Sequence, residues 1–396
     1  MTAALIAAGA TLATLQAADL IIVLTCTVTA EAESKTHKAI RRMLRHEPRL
    51  GVLASGCSVA VKPTAYAFYE DKLTAVPNVN EAIAAAKSLL GVVGEVSGAS
   101  GFSLPANRMR LNLKIQDGCN GACTYCIVRH ARGLSRSESA GDVIAAAIAA
   151  ELAGYREIVL TGVNIGSYCD LGAVNLVALL EELLAATQLT RYRLSSIEPN
   201  DVSNELIDLI ARSEGRICAH LHLPLQNGSD TVLQAMARPY TTAMYRARVA
   251  YAREQLPNLA LSTDVIVGFP GETEADFLKT YEFCQEMKYM RMHIFRYSIR
   301  EGTEAAEMPE QIASVVKAER SEALSQLAEQ LTEADRQART GTTEQALVER
   351  PGYARTESYH LIKIPESLKI GELIPICLDG HEGRLLEATE RNNAIQ

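Results

Sequence analysis

Three cysteines lie close together in the pattern Cys-x-x-x-Cys-x-x-Cys, at Cys119, Cys123 and Cys126. Three closely spaced thiolates can hold three irons of a cubane iron–sulfur cluster and leave the fourth iron open. An open coordination position is what separates a catalytic metal site from a closed structural one. Gly118 before the first cysteine and Gly121 inside the loop allow a tight turn with backbone amides directed at the anionic sulfurs. The spacing therefore favours a catalytic cluster.

A zinc site is the alternative for the same cysteines. His130 lies four residues after Cys126 and could complete a Cys₃His set, and zinc often uses such short spacings. Three arginines follow the last cysteine, at Arg129, Arg132 and Arg136. They would offset the negative charge of a thiolate cluster or meet a phosphate, or else form a solvated basic face.

The composition is that of a chain with two or three domains in a reducing compartment. With 396 residues and 48% hydrophobic content, the chain can bury a large core. Nine cysteines without a secretory signal argue against a disulfide framework, so we expect a cytoplasmic protein. The apolar, Ala-rich start does not predict a membrane segment, because it lacks a basic region and is interrupted by Gln16 and Asp19.

The net charge of -8 gives no argument for a nucleic-acid partner. Such a partner would have to bind local groups of Lys and Arg, because phosphate contacts need clustered charges rather than a basic average. The candidate groups are Arg41, Arg42 and Arg45; Arg129, Arg132 and Arg136; and Arg350 with Arg355.

Residues 1–98 are predicted to form a small α/β domain. Two buried apolar runs, at 20–24 and 51–54, have the character of parallel strands, and a helix is predicted between them at 31–45. Cys26 and Cys57 follow the two strands. In open α/β sheets the carboxyl ends of the strands are where ligands bind, so we interpret these cysteines as ligands. The alternative is two unrelated buried thiols, since cysteine is among the most buried residue types.

A linker rich in Gly, Ser and Pro is predicted at 96–105, and residues 105–338 then alternate strands with helices. The strand candidates are 109–116, 157–163, 191–197, 221–225, 261–267 and 292–297, and helical patterns include 140–153, 176–186 and 274–287. Repeated strand–helix units imply a parallel sheet with right-handed crossovers. Six units are fewer than the eight of a closed barrel, so we predict an open, partial (βα)₆ barrel with the cysteine loop at its C-terminal mouth.

A charged amphipathic helix at 311–339 precedes a C-terminal domain at 340–396. This domain shows β runs at 344–350, 359–364, 373–378 and 384–389, with turns at Gly352, Gly371 and Gly380. It resembles a TRAM domain, a small β-barrel found in RNA-modifying enzymes. Small barrels of this kind commonly bind nucleic acid, although a barrel with no ligand is the alternative because this segment carries few basic residues.

The cysteine pattern with Tyr125 before the last cysteine resembles the signature of radical S-adenosylmethionine enzymes, and nearly the whole chain resembles one family among them, the methylthiotransferases. Seven segments carry this resemblance. They are Thr-Cys-Thr-Val-Thr at 25–29 with Gly56-Cys57, Asp-Gly-Cys-Asn-Gly-Ala-Cys-Thr-Tyr-Cys at 117–126 with Ala-Arg-Gly at 131–133, His-Leu-Pro-Leu-Gln-Asn-Gly-Ser at 222–229, Arg-Pro-Tyr-Thr at 238–241, and Thr-Asp-Val-Ile-Val-Gly-Phe-Pro-Gly-Glu at 263–272.

The resemblance implies two [4Fe–4S] clusters and S-adenosylmethionine. Cys119, Cys123 and Cys126 would hold the first cluster, which cleaves S-adenosylmethionine to a 5′-deoxyadenosyl radical. Cys26 and Cys57 would hold a second cluster that supplies the sulfur. The candidate cofactor-binding residues are Tyr125, Thr161, Gly162, Asn164, Ser195, Ser196, Glu198, Gln226 and Asp264. Each of those that follow a strand could equally be a structural cap, and glycine alone would explain the turn at 161–164.

The branches of the family differ in their target. Cys-Thr-Val-Thr at 26–29, Ser-Ser-Ile-Glu-Pro at 195–199 and Lys-Ile-Gln-Asp-Gly at 114–118 resemble the branch that converts threonylcarbamoyladenosine, next to the anticodon of tRNA, to its 2-methylthio form. The other branches modify isopentenyladenosine in tRNA or an aspartate of a ribosomal protein. The implied partners are tRNA and an electron donor such as flavodoxin or ferredoxin.

The sequence departs from the family at three places. Arg129-His130 stands where Pro-Tyr is usual, and Ala122 stands where a bulky residue is usual. Members also carry a first cysteine upstream of the helix within which this sequence begins. We expect either that the sequence as given starts late or that the second cluster has lost a ligand, so that its ligand set is incomplete in this sequence. This leaves two alternatives open: a binding protein that keeps the fold without turnover, and a radical enzyme that uses the barrel cluster alone.

Overall fold

The computed structural model describes residues 1–27, 29–46, 48–69, 72–92 and 109–385. The predicted linker at 96–105 and the end of the last predicted β run lie outside the described residues. The chain divides into two compact units, which we call the N-terminal unit (Met1–Ser103, Gly118–Leu134 and Ser298–Glu307) and the barrel unit (Leu104–Asp117, Ser135–Tyr297 and Met308–Gln396). The cysteine loop belongs to the N-terminal unit. The three predicted domain boundaries stay a prediction.

The N-terminal unit contains a three-stranded parallel sheet with the order β1-β2-β3. Its elements are α1 (Thr2–Ala7), β1 (Ile21–Thr25), α2 (Ala30–Leu44), β2 (Val52–Gly56), α3 (Cys57–Val61), α4 (Thr64–Ala67), β3 (Leu73–Val76), α5 (Val79–Leu90) and α6 (Val128–Arg132). The predicted strands and helix of this region are confirmed to within about two residues.

Local sequence signals explain where the main helix of this sheet begins. The hydroxyl of Thr29 accepts a hydrogen bond from the amide of Ala32 at 3.1 Å, which caps α2. Glu31 and Glu33 lie in the first turn, where the helix dipole favours negative charge. Ile40 of α2 is fully buried against the sheet, in a core that includes Ala54, so the helix covers one face of the strands.

The barrel unit contains six parallel strands in an open arc. These are β4 (Arg110–Lys114), β7 (Glu157–Thr161), β10 (Arg191–Leu194), β11 (His220–His222), β12 (Ala260–Val267) and β13 (Arg291–Arg296). They form two three-stranded sheets, β10-β7-β4 and β11-β12-β13. Two parallel bridges connect these sheets, one between Tyr192 and Ile217 and the other between Ser196 and His222. The predicted partial (βα)₆ barrel is confirmed.

Helices and short hairpin-like strands connect these six strands. The short strands are β5 (Gln116–Asp117), β6 (Arg136–Ser137), β8 (Cys169–Asp170) and β9 (Val174–Asn175). The helices are α7 (Ala140–Leu152), α8 (Leu176–Ala186), α9 (Asn204–Arg212), α10 (Asp230–Ala235), α11 (Thr242–Gln255) and α12 (Glu274–Met287), followed by α13 (Glu304–Glu307) in the N-terminal unit and α14 (Ser314–Ala338) in the barrel unit. Within the described residues, no helix is long and apolar enough to cross a bilayer.

The C-terminal segment forms a closed five-stranded barrel with the order β14-β15-β16-β18-β17. Its strands are β14 (Thr343–Arg350), β15 (Tyr353–Thr356), β16 (Leu361–Lys363), β17 (Leu373–Asp379) and β18 (Glu382–Leu385). The barrel encloses a core of small and branched side chains that includes Ala346, Val348 and Ile376. The predicted TRAM-like barrel is confirmed, although β15 was not among the predicted runs.

Within the barrel unit, buried charges hold the C-terminal five-stranded barrel against the first residues of strands β7 and β10. Glu157, the first residue of β7, pairs with Arg191 at 2.6 Å and Arg193 at 3.0 Å, and all three side chains are almost fully buried. The two guanidinium groups also donate to backbone carbonyls of the C-terminal barrel, at Gln345 and Thr356 among others. Because buried charges need both partners and hydrogen bonds, this cluster fixes the two parts to each other.

Candidate active site

The cysteine loop closes on itself through Gly118. This glycine has a φ of +75°, and an added Cβ would lie 2.0 Å from the carbonyl oxygen of Leu134. The amide of the next residue, Cys119, donates to the carbonyl of Gly133 at 3.1 Å. A residue with a side chain at position 118 would meet both strain and a clash, so glycine is required for the loop to close.

The turn inside the loop leaves room around the sulfurs. The amide of Gly121 donates to the Sγ of Cys119 at 3.2 Å. A Cβ at Gly121 would lie 3.2 Å from the Sγ of Cys119 and 3.7 Å from that of Cys123, so the backbone of this glycine passes close to two of the sulfurs. Backbone amides directed at sulfur stabilise a thiolate cluster. The donor set of three thiols in this cradle fits an iron–sulfur cluster.

The remainder of the loop is braced within the N-terminal unit. The amide of Cys126 donates to the carbonyl of Cys123 at 3.0 Å, and the carbonyl of the buried Thr124 accepts from Ala305 of α13 at 2.9 Å. Tyr125 and the three cysteines are half-buried. Across the described residues, no three His, Cys, Asp or Glu side chains are grouped so as to hold one metal ion.

The two N-terminal cysteines are adjacent in the sheet. β1 and β2 run in parallel with Thr25 opposite Gly56, so Cys26 and Cys57 each follow a member of the same residue pair. Cys26 is exposed and Cys57 is half-buried. The predicted placement at neighbouring strand ends is therefore observed. The Nε of Arg132 donates a hydrogen bond to the Sγ of Cys57 at 3.0 Å.

In the barrel unit, the turn after β7 is packed against Gln116. The Oε1 of Gln116 accepts from the amides of Val163 at 2.9 Å and Asn164 at 3.0 Å. A Cβ at Gly162 would lie 2.7 Å from the same oxygen, so this glycine is explained by close packing. Thr161 ends the strand and is half-buried. A cofactor contact by Thr161 or Gly162 stays a prediction.

Asn164 joins this turn to the residues that follow β10. Its side-chain oxygen accepts from the amides of Gly166 and Glu198, each at 3.2 Å, and the amide of Ile165 donates to the carbonyl of Ser196 at 3.1 Å. Asn164 thus caps the short helical turn Ile165–Ser167 and holds the strand ends together. The structure brings three of the predicted residues, Asn164, Ser196 and Glu198, into one network.

Ser195, next to this network, and Glu198, within it, are the two candidates with the most marked environments. Within the described part of the chain, the buried Oγ of Ser195 has no hydrogen-bond partner. Glu198 pairs with Arg238. Burial raises the pKa of Glu198, and the carboxylates of Asp201 and Asp264 act in the same direction, while Arg238 opposes them. Perturbed carboxyl groups and unpaired hydroxyls at strand ends are features of binding sites.

Gln226 and Asp264 form a second group. Gln226 follows β11 and bridges to β12 at Val265, whereas Asp264 lies within β12 and not at the predicted strand end. Gln226 has a φ of +63°, uncommon for a residue with a side chain, and its amide donates to the carbonyl of Asp264 at 2.9 Å. The carboxylate of Asp264 lies 3.4 Å from the Nε2 of His222. The other ring nitrogen of His222 bonds the hydroxyl of Ser262 at 2.9 Å, which orients the imidazole.

Four polar residues of this region were not among the predicted site residues: Gln116, His222, Arg238 and His293. Gln116, His222 and Arg238 lie in segments that carry the family resemblance, so their sequence context was the available signal. His293 has no such context; its ring lies 5.9 Å from that of His222, and burial lowers its pKa against the attraction of Asp264.

Two family models match the chain. The radical SAM superfamily matches residues 113–284, and the family described as "Uncharacterized protein family UPF0004" matches residues 1–76. Among solved structures, the radical S-adenosylmethionine methyltransferase TsrM from Kitasatospora setae has a TM-score of 0.54 at 14% identity, and the match covers 72% of this chain and 66% of that chain. The fold and the cysteine loop thus define a radical S-adenosylmethionine enzyme, a class that uses a [4Fe–4S] cluster and S-adenosylmethionine.

Individual relatives show which family of this class the chain belongs to. A threonylcarbamoyladenosine tRNA methylthiotransferase MtaB from Bacillus subtilis is 39% identical over 338 residues, or 80% of this chain and 73% of the relative. A tRNA-2-methylthio-N(6)-dimethylallyladenosine synthase from Desulfitobacterium hafniense is 36% identical over 391 residues, or 92% of this chain and 87% of the relative. The chain belongs to the methylthiotransferase family of radical S-adenosylmethionine enzymes.

Proposed function

We propose that the protein converts N6-threonylcarbamoyladenosine, next to the anticodon of tRNA, to its 2-methylthio derivative. The observation that carries this proposal is the 39% identity to the Bacillus subtilis relative, whose name states the threonylcarbamoyladenosine target. Relatives with the same name in Chlamydia pneumoniae and Aquifex aeolicus are 34% and 33% identical. Modification of isopentenyladenosine is the second candidate, because a dimethylallyladenosine synthase matches a larger share of the chain, 92%, at 36% identity.

In this proposal each group of cysteines has a separate task. Cys119, Cys123 and Cys126 would hold the cluster that leaves one iron open, and Cys26 with Cys57 would hold a second [4Fe–4S] cluster that carries the sulfur. When bound, the first cluster and S-adenosylmethionine supply the radical chemistry that breaks an unreactive C–H bond. Because this chemistry belongs to the cofactors, the chain's own residues bind, orient and exclude water.

The strand-end residues of the barrel unit would orient S-adenosylmethionine. Ser195 offers a buried hydroxyl for which the described residues provide no partner, and Glu198 offers a carboxylate held by Arg238. Glu198 also donates its backbone amide to Asn164, so the position of its side chain is tied to the turn after β7. These contacts support a role in placing a polar cofactor. The partners would be tRNA and a one-electron donor such as flavodoxin or ferredoxin.

Nucleoside mass spectrometry of tRNA from cells lacking the gene tests the function. We expect the 2-methylthio derivative of threonylcarbamoyladenosine to be lost, and to return with the wild-type gene. The triple Cys→Ala variant at Cys119, Cys123 and Cys126 should not restore it. Cys169→Ala is the matched control, because Cys169 is exposed and lies outside both cysteine groups.

Three outcomes would contradict this assignment. Loss of the methylthio derivative of isopentenyladenosine, with the threonylcarbamoyl product unchanged, would move the protein to the second candidate. Retention of both derivatives in the deleted cells would favour a binding protein without turnover. Restoration by the triple cysteine variant would exclude the three cysteines from the reaction.

A further inference from the structure

Arg132 links the cysteine loop to one of the N-terminal cysteines. Its Nε donates to the Sγ of Cys57 at 3.0 Å, across a separation of 75 residues. The contact is made between helices that pack together, because α3 begins at Cys57 and α6 ends at Arg132. Both helices belong to the N-terminal unit.

The backbone next to Arg132 is itself fixed. Gly133 has a φ of +78° and ends α6, its amide donates to the carbonyl of Arg129 at 2.9 Å, and its carbonyl accepts from Cys119. One turn therefore holds the backbone of a loop cysteine and directs a guanidinium group at the sulfur of Cys57. A solvated basic face would require neither the fixed backbone next to Arg132 nor the hydrogen bond from its guanidinium group to Cys57.

The neighbouring arginines differ from Arg132. Arg129 lies one turn earlier on the same helix and is exposed. Arg136 pairs with Asp117 at 2.9 Å in the barrel unit. Of these three arginines, Arg132 is the one that the structure places against an N-terminal cysteine. Arg129 therefore provides a matched control on the same helix.

Buried hydroxyls beside the two cysteines form a second observation. Thr25 precedes Cys26 and Ser58 follows Cys57, and the hydroxyl of Tyr66 lies near both. All three side chains are more than nine-tenths buried, and the hydroxyl of Tyr66 interacts with those of Ser58 and Thr25. These three polar groups lie beside both cysteines within the N-terminal unit.

We propose that Arg132 is a positioning residue for the second cluster, and that its hydrogen bond to Cys57 raises the reduction potential of that cluster and slows its loss of iron. The inference rests on the proposed function, in which Cys57 is a cluster ligand. Hydrogen bonds to the sulfurs and positive charge near them favour the reduced, more negative form of an iron–sulfur cluster. A guanidinium group stays charged, so this contribution does not depend on pH in the working range.

The test uses the full chain in which Cys119, Cys123 and Cys126 are alanine, so that the signal comes from the second cluster alone. Midpoint potentials are measured by electron paramagnetic resonance during redox titration, and iron loss is followed with a chelator. Arg132→Gln should shift the potential to more negative values and release iron severalfold faster. Arg132→Lys keeps the charge without the planar fork and should give a smaller shift. Arg129→Gln should leave both quantities unchanged.

Thermal unfolding of the iron-free variants separates a cluster effect from a folding defect. We expect equal unfolding temperatures for Arg132→Gln and its parent. An unchanged potential and iron-release rate in Arg132→Gln would overturn the inference, and so would equal shifts in the two Gln variants. A parent protein that holds no cluster would contradict the proposed role of Cys57 as well as this inference. A parent protein that holds a cluster whose potential and iron loss do not respond to Arg132→Gln would contradict this inference alone.

Discussion

Gly118 is the residue on which the shape of the cysteine loop depends most directly. Its positive φ disfavours any side chain, and its Cβ position is occupied by the backbone of Leu134. A flexible side chain could move aside, but a backbone carbonyl that also ends the loop cannot. The position of Cys119, the next residue, therefore follows from the absence of a side chain at Gly118.

We predict that Gly118→Ala disrupts the loop. Strain at positive φ together with the clash should cost about 1–3 kcal/mol locally, and anaerobically prepared protein should lose loop-bound iron and most S-adenosylmethionine cleavage to 5′-deoxyadenosine. Gly172→Ala is the control, because Gly172 has a φ of +72° but nothing within 4 Å of its Cβ position. Normal iron and cleavage in Gly118→Ala would show that the loop tolerates a wider turn.

Spacing in the sequence identified the residues that act together within one segment. The three loop cysteines and the turn glycines are such a case, since their geometry is fixed by a few adjacent residues. The contacts of Arg132 with Cys57 and of Arg238 with Glu198 join residues 75 and 40 positions apart. No local pattern encodes such a pair, because it forms only when separate elements meet.

At the scale of elements, the alternation of strand and helix patterns predicted all six strands of the arc. An apolar run alone would have identified only part of β12, residues 265–267, because the same strand also contains Ser262, Thr263 and Asp264. β15 was missed because it is four residues long, alternates half-buried with buried positions and includes Arg355. β3 has the same short length and two exposed central residues. Short strands of this kind form because neighbouring strands pair with them, and the sequence does not show which strands will be neighbours.

The cluster around Glu157 is the element-scale feature that fixes the C-terminal barrel. Burial would raise the pKa of Glu157, but Arg191, Arg193 and Arg110 hold it well below its usual value. A carboxyl group whose pKa is lower in the folded state stabilises the fold at pH values above its unfolded pKa. That contribution is lost as the pH falls towards the folded value.

We predict that Glu157→Gln lowers the free energy of unfolding by about 3–5 kcal/mol at neutral pH, because two buried guanidinium groups lose their counter-charge. Chemical denaturation at several pH values checks this. The difference from wild type should be constant above about pH 5 and narrow below about pH 4.3. Glu181→Gln, which removes an exposed pair with Arg212, should cost about 0–1 kcal/mol. A loss of similar size in both variants would contradict the role of the buried cluster.

At the scale of the whole molecule, 47 acidic residues outnumber 39 basic ones, so tRNA would have to be bound through local groups of arginine. The pair Arg350 and Arg355 was one predicted group, but the two differ. Arg355 is 17% exposed and its guanidinium donates to Glu349 at 3.0 Å and to the carbonyl of Tyr359 at 3.1 Å. It is therefore a structural residue of the C-terminal barrel and not a suitable phosphate contact. Arg350 is exposed and stacks on Tyr353 at 4.2 Å.

We predict that Arg350→Gln weakens tRNA binding and reduces the slope of log affinity against log salt by about one, the amount expected for one phosphate contact. Binding measured across a series of salt concentrations checks this, with S-adenosylmethionine cleavage unchanged. Arg212→Gln is the control, because it removes an equal charge from an exposed side chain at the end of α9 in the barrel unit. Equal slopes for wild type and Arg350→Gln would show that the C-terminal barrel contributes no phosphate contact through this residue. A reduced slope in Arg212→Gln as well would instead attribute the effect to overall charge, because both variants lower the net charge equally.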